Sequence, residues 1–310
     1  MKQTLDTLFD EQLRTWELAK TNYAALSQVK MRRIEVDGCS YMIQYNPARI
    51  ISSAAKVDAQ SIKERKCFLC RANRPKEQLS IPFGKHYEIL VNPYPIFTRH
   101  FTIPEIQHTG QRIAGHFGDM LDLAAFAKEY VVFYNGPKCG ASAPDHFHFQ
   151  AGNKGFLPIE KEWSSNKALR LKSRNHAELS LLTNGNKSTF IIESTNKEET
   201  MQLFDDVYLS LPIKSGEDEP MINMLAWIDG NKWVILIFPR YRHRPSCYSA
   251  IGDANILLSP ASVDMGCTLI TPLEKDFNKI TAADISTIFQ EVCLGPDEIN
   301  KIKKLIIEKP

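Results

Sequence analysis

The stretch Asp145-His146-Phe147-His148-Phe149-Gln150 constrains this chain more than any other. Two imidazoles and an amide alternate with two aromatic rings. Successive side chains of a β-strand point to opposite faces, so the alternation predicts a strand with His146, His148 and Gln150 on one face. Phe147 and Phe149 then anchor the other face in a core. Imidazole, imidazole and amide in a row, backed by apolar residues, suit a phosphate-handling site. The plain alternative is a strand carrying two incidental histidines.

Upstream, Cys67-Phe68-Leu69-Cys70 supplies a two-ligand bite for a tetrahedral metal such as zinc. Two further ligands are needed, and His100, His108, His116 and His146 are the candidates. A redox pair normally opens a helix after a strand, and Arg71-Ala72-Asn73-Arg74-Pro75 does not read that way. A merely packed cysteine pair is the remaining alternative. The other five cysteines (Cys39, Cys139, Cys247, Cys267 and Cys293) are scattered. An odd, scattered set argues against a secreted disulfide scaffold, so a cytoplasmic location is expected.

Chemistry narrows the roles further. A neutral imidazole is available for attack on phosphorus near neutral pH, giving a covalent phosphoryl- or nucleotidyl-histidine. A metal-bound His146 could not also attack, which leaves His148 as the nucleophile. Gln150 can donate an amide N–H to a phosphate oxygen but cannot trade protons near neutral pH. The loop 136–145, with Gly136 and Gly140, would let backbone N–H groups approach an anion.

The pattern His-x-His-x-Gln resembles the nucleotidyltransferase and phosphorylase branch of the histidine triad superfamily. That branch includes the galactose-1-phosphate uridylyltransferases, the diadenosine tetraphosphate phosphorylases and the GDP-L-galactose phosphorylases. His146 to Ala151, followed by Leu157-Pro158-Ile159-Glu160, is similar to the GDP-hexose phosphorylases. Cys67 to Arg74 is similar to the zinc knuckle of the uridylyltransferases. Tyr45-Asn46-Pro47-Ala48-Arg49 resembles a phosphate-contacting segment of the branch. The resemblance covers residues 40–160. A weaker one, from Phe238 through Arg240, Arg242, His243 and Arg244 to Leu258, points to a second half-domain with substrate contacts.

The resemblance implies an α+β, histidine-triad-like fold of two half-domains, each a mainly antiparallel sheet with packed helices. It makes His148 the carrier of the nucleotide and Gln150 its phosphate-positioning partner. It implies zinc on Cys67, Cys70, His146 and His108, with His100 the lesser choice for the fourth ligand. Arg49, Asn73, Asn92, Asn135, Gly140, Ser142, Arg240 and Arg242 are the implied nucleotide or phosphate contacts. The implied substrates are a nucleotide sugar or a dinucleotide, with phosphate or a sugar phosphate as acceptor. A hydrolase and a catalytically inactive nucleotide-binding regulator are the competing readings.

Bulk properties agree with such an enzyme and exclude other classes. The formal net charge of +2 gives no electrostatic basis for broad nucleic-acid or membrane binding. The leading segment Met1–Asp6 lacks the apolar run of a signal peptide, and no stretch is apolar enough to span a bilayer. A homodimer is left open as the oligomeric state. Helical spacing is read over 4–26, 113–130, 197–209, 282–293 and 297–308, and strands over 31–36, 41–45, 87–91, 100–104, 131–135 and 188–193. Apolar runs at 221–228 and 232–239 flank an Asp-Gly-Asn hairpin signal. Residues 163–187 mix charge with helix formers, and a boundary is expected within 165–190, dividing residues 1–175 from 176–310.

Overall fold

Some strands alternate apolar and polar side chains and the central ones are continuous apolar runs, as a sheet buried on both faces requires, and pairing them edge to edge accounts for the architecture. The computed structural model describes residues 4–50, 57–164 and 168–309. The first three residues of the leading segment and the first three of the expected boundary stretch lie outside the described residues.

The strands are β1 (Lys30–Val36), β2 (Cys39–Tyr45), β3 (Ser80–Phe83), β4 (Tyr87–Val91), β5 (His100–Pro104), β6 (Tyr130–Asn135) and β7 (His148–Asn153). The second half adds β8 (Leu169–Ser173), β9 (Ala177–Asn184), β10 (Lys187–Ser194), β11 (Ile222–Asp229), β12 (Lys232–Pro239) and β13 (Thr268–Thr271). Ten of them form one sheet in the order β3-β4-β5-β7-β6-β11-β12-β10-β9-β8. Every pairing in it is antiparallel. The order is palindromic. Two five-stranded halves repeat one topology, and β6 and β11 join them at a central seam. In each half a helix, Phe117–Phe126 or Lys197–Tyr208, connects the third strand to the fourth. The expected α+β fold with antiparallel sheets is thus the fold observed, its two halves fused into a single sheet.

The sheet buries both faces. On one side the helices Leu5–Thr15, Phe117–Phe126, Lys197–Tyr208 and Pro296–Glu308 pack over a core that takes in Phe147, Phe149, Val132 and Tyr134. On the other side lie Val131 and Phe133, covered by a small sheet of β1, β2 and β13 and by the helix Ala282–Val292. The β1–β2 hairpin turns on Asp37-Gly38, both at positive φ as a two-residue type I′ turn requires. Phe147 and Phe149 are fully buried, a contribution of about 2–3 kcal/mol each toward holding β7 in register.

Several boundaries differ from the sequence reading. Trp16 interrupts the N-terminal helix with an extended backbone, splitting it into Leu5–Thr15 and Glu17–Ala24. Gly115, at φ +84°, delays the next helix to Phe117. Residues 163–187 hold β8 and β9 despite their helix-forming composition. Among the described residues no helix is long and apolar enough to cross a membrane.

Candidate active site

His146 is the first departure from the simple strand picture. The strand β7 begins at His148, and His146 sits in the turn that follows Pro144, its N–H donating to Ala143 O. It therefore does not extend the row of His148 and Gln150. The turn instead aims it at the cysteine pair. Its Nε2 donates to Glu105 O (2.8 Å), so Nδ1 carries the lone pair. That nitrogen lies 3.3 Å from Cys67 Sγ and 3.5 Å from Cys70 Sγ. His108 Nδ1 is 3.1 Å from Cys70 Sγ. One ligand atom from each of Cys67, Cys70, His108 and His146 falls within 4.8 Å of the others, so the cluster could hold a metal ion. Burial opposes ionisation of Cys67, but His146 and nearby backbone N–H groups overcome it and lower the thiol to about 6. His100 is not part of this cluster.

The knuckle is built locally. Cys70 N and Asn73 Nδ2 both donate to Cys67 O, at 3.3 and 2.9 Å, and Arg74 Nε donates to Leu69 O (2.8 Å). Asn73 thus shapes the cysteine turn, and it does not line the cavity described below. Asp145 holds the turn before β7 through an ion pair with Arg65.

His148 is buried at the start of β7, where the regular ladder fails. Its register partner on β5 is Pro104, which has no N–H, and pairing with β6 reaches only Gln150. The side chain of Gln111 fills the gap. Its Oε1 accepts from His148 N (2.8 Å), and its Nε2 donates to His148 O (3.0 Å) and Asn135 O (2.9 Å). The imidazole is equally fixed. A carbonyl can only accept, so the 2.8 Å contact with His146 O places the proton on Nδ1 and the lone pair on Nε2. Burial pushes the group down to about 4, so it is neutral at neutral pH.

A parallel chain of bonds orients Gln150. Ile96 N–H donates to His100 Nδ1 (3.2 Å), so His100 Nε2 must carry a proton, and it donates to Gln150 Oε1 (3.0 Å). Asn92 Nδ2 adds a second donor at 3.4 Å. With its oxygen held from two sides, Gln150 turns its NH₂ away from them. Burial, then the charge of Arg49, lowers His100 to about 3 and keeps it neutral.

His148 and Gln150 open onto a cavity of about 450 Å³, within the range of small-molecule sites. Arg49, Asn92, Asn135, Gly140 and Ser142 line it, as do His243, Arg244 and Asp264. Arg49 Nη1 donates to Tyr94 O (2.6 Å), while its Nε is buried and finds no acceptor among the described residues. Asn135 Oδ1 accepts from Ser262 N (2.8 Å) and from Asn223 Nδ2 (2.9 Å), its register partner across the seam. Gly140 has φ +93°, and a Cβ there would sit 2.5 Å from Ala261 Cβ, so the loop needs glycine.

Arg240 and Arg242 do not line the cavity. Arg240 is buried, and its guanidinium bonds Asn223 and four backbone carbonyls. Arg242 pairs with Glu291 at 3.0 Å, half exposed. Gln111, Asp264 and the orienting role of His100 had no local signal, because each acts across long sequence separations.

Comparison with known proteins bears on the fold. A family model for a domain of unknown function, DUF4922, matches residues 8–153. No curated protein matches the chain. The yeast Ap4A phosphorylase Apa2 in complex with AMP is similar in fold, with a TM-score of 0.57 at 14% identity, over 92% of this chain and 97% of that one. The same enzyme in complex with Ap4A gives 0.55 at 13%, over 91% and 97%. A GalT-like protein from Arabidopsis thaliana aligns over 86% of this chain and 99% of that one, at 16% identity with a TM-score of 0.35. At these identities the phosphorylase likeness is one of fold. It is the fold that the resemblance of His146–Gln150 led us to expect.

Proposed function

We propose that the chain is a nucleotidyltransferase that works through a nucleotidyl-histidine on His148. The observation that carries this reading is the fixed tautomer. Nδ1–H is held by His146 O, so the imidazole is neutral and Nε2 keeps a free lone pair in a residue that lines the cavity. In the first step Nε2 attacks the α-phosphorus of a dinucleoside polyphosphate or a nucleoside diphosphate sugar. The N–P bond forms, the P–O bond to the departing phosphate breaks, and that oxygen leaves with the electron pair. In the second step phosphate, or a sugar phosphate, collects the nucleotidyl group. The complexes named for the yeast enzyme, with AMP and Ap4A, favour a dinucleotide among these substrates.

Gln150 N–H and the Arg49 guanidinium supply donors for the phosphate on His148. Their value lies in being oriented before the charge develops. Asn92 and Asn135 fix the strand ends beside it, and Gly140 and Ser142 bring the loop close.

Zinc fits the set Cys67, Cys70, His108 and His146, because two thiols and two imidazole nitrogens match a closed tetrahedral site. Bound there, the metal would supply a structural tie and no reactive position. The His146 carbonyl that orients His148 would then be anchored to the knuckle. Seven free thiols suit a reducing compartment such as the cytoplasm.

The test is a nucleotide panel carrying an α-position label, followed by denaturation and peptide mapping. A label on the peptide containing His148, lost in His148→Ala, is the expected result. A label on any other residue, or turnover that survives His148→Ala, refutes the assignment.

A further inference from the structure

All five donors of the buried Arg240 are engaged. Nε bonds Val292 O (3.1 Å), and Nη1 bonds Asn223 Oδ1 and Pro260 O (2.8 Å). Nη2 bonds Arg242 O (3.1 Å) and His243 O (3.2 Å). This arginine therefore contacts no ligand. It pins the backbone after β12 so that His243 and Arg244, which do line the cavity, are held in place. Arg244 stacks over the Tyr248 ring at 4.1 Å, with Nε 3.4 Å from Ser259 Oγ.

Hydrogen bonds tie Arg49 to the Gln150 side of the cavity: Arg49 Nη1 donates to Tyr94 O, Tyr94 N donates to Asn92 Oδ1, and Asn92 Nδ2 reaches Gln150 Oε1. Arg49 is felt by His100, the residue that orients Gln150. His243 is pushed down to about 4 by burial first, then by the charges of Arg244, Arg240 and Lys138. Lys138 belongs to the loop carrying Gly140 and Ser142. Arg244 reaches Ser259, and the adjoining Pro260 and Ala261 lie against Gly140 of that loop, so one cation sits toward Gln150 and the other toward the loop.

A double displacement at phosphorus uses both. The bond that breaks lies in line with the bond that forms. In the first step the departing phosphate leaves opposite His148 Nε2. In the second, an acceptor oxygen must arrive from that same side. It bonds to phosphorus, the N–P bond breaks, and its electron pair returns to Nε2, with no proton exchanged. Departing and arriving phosphates therefore share one place.

We infer that His243 and Arg244 form that place: a subsite for the phosphate of the leaving group and of the acceptor, distinct from the nucleotidyl phosphate held near Gln150 and Arg49. The inference rests on the nucleotidyl-histidine reading, and its test separates the two. Inorganic phosphate is titrated calorimetrically into the intact 310-residue chain. Arg244→Gln should weaken binding at least tenfold, and His243→Asn should weaken it less. Arg170→Gln, an exposed charge on β8, should leave binding unchanged. In kinetics, Arg244→Gln should slow phosphate-dependent discharge of the labelled adduct at least tenfold, partly restored by Arg244→Lys, while discharge to water is unaffected. Unchanged phosphate affinity in a folded Arg244→Gln protein overturns the subsite, as does equal weakening by Arg170→Gln. Should Arg244→Gln fail to fold, unchanged affinity in His243→Asn overturns it. Arg244-dependent phosphate binding in a chain that forms no adduct upholds the subsite and refutes the nucleotidyl-histidine reading.

Discussion

His100 and Gln150 act as one unit, and that has a measurable signature. On the proposed reading, removing the Gln150 amide takes away one hydrogen bond to a charged phosphate, about 1.5–3 kcal/mol, so Gln150→Ala should slow turnover roughly ten- to a hundredfold. His100 does not line the cavity. His100→Ala should nevertheless lower kcat, because Gln150 Oε1 would keep only the longer bond from Asn92. The double variant should be scarcely worse than Gln150→Ala alone, since groups acting through one another are not additive. Losses that simply multiply in a double-mutant cycle would show that His100 works by another route. His148 and Gln150 were legible because strand alternation is local. That Arg240 ranks below Arg244 as a ligand contact was not readable, because only the packing of Val292, Asn223 and Pro260 around Arg240 reveals that it is fully occupied.

At the scale of elements, the knuckle and the loop before β11 carry separate predictions. The cysteine turn is a short segment of loop and a single 3-10 turn, with little core of its own. One metal ion per chain is expected by elemental analysis. Its removal by a chelator should increase hydrogen exchange in residues 65–75 and in the turn at His146, because metal binding and local folding are coupled. Unaltered exchange on metal loss would contradict a structural tie. Glu219, just before β11, accepts from Ile113 N (2.8 Å) and from Tyr134 OH. Burial raises its carboxyl from 4.5 to about 7 despite these bonds. Between those values the folded chain binds the extra proton, so stability falls as pH rises from 4.5 through 7, by a few kcal/mol at most. Glu219→Gln should flatten this dependence, with thermal unfolding at pH 5 and pH 8 as the measure. An unchanged pH slope would show that the carboxyl is already ionised. Elements read from long periodic runs, such as Lys197–Tyr208 and the β11–β12 hairpin, were found within about one residue. The charged edge strand β8 was missed because its alternation, Leu169-Arg170-Leu171-Lys172, is only four residues long and stands in a stretch of charged helix formers, the lysine and arginine that protect an edge from pairing among them.

For the whole molecule, the palindromic sheet raises the question of how many turnovers one chain can host. Its repeat was invisible in the sequence because backbone pairing, and not side-chain identity, is what the two halves share. The strand that mirrors β7 in the second half is β12, Lys232-Trp233-Val234-Ile235-Leu236-Ile237-Phe238-Pro239, and it contains no histidine. On the proposed reading, two symmetric frames therefore hold one nucleophile, His148. Rapid mixing with excess labelled dinucleotide, in the absence of acceptor, should give an initial release of leaving group equal to one equivalent per chain. Two equivalents would require a second nucleophile that the mirrored strand does not have. If His148 is the nucleophile, the unmatched half is left as a wall, free to vary what the reaction accepts without altering the atom that performs it.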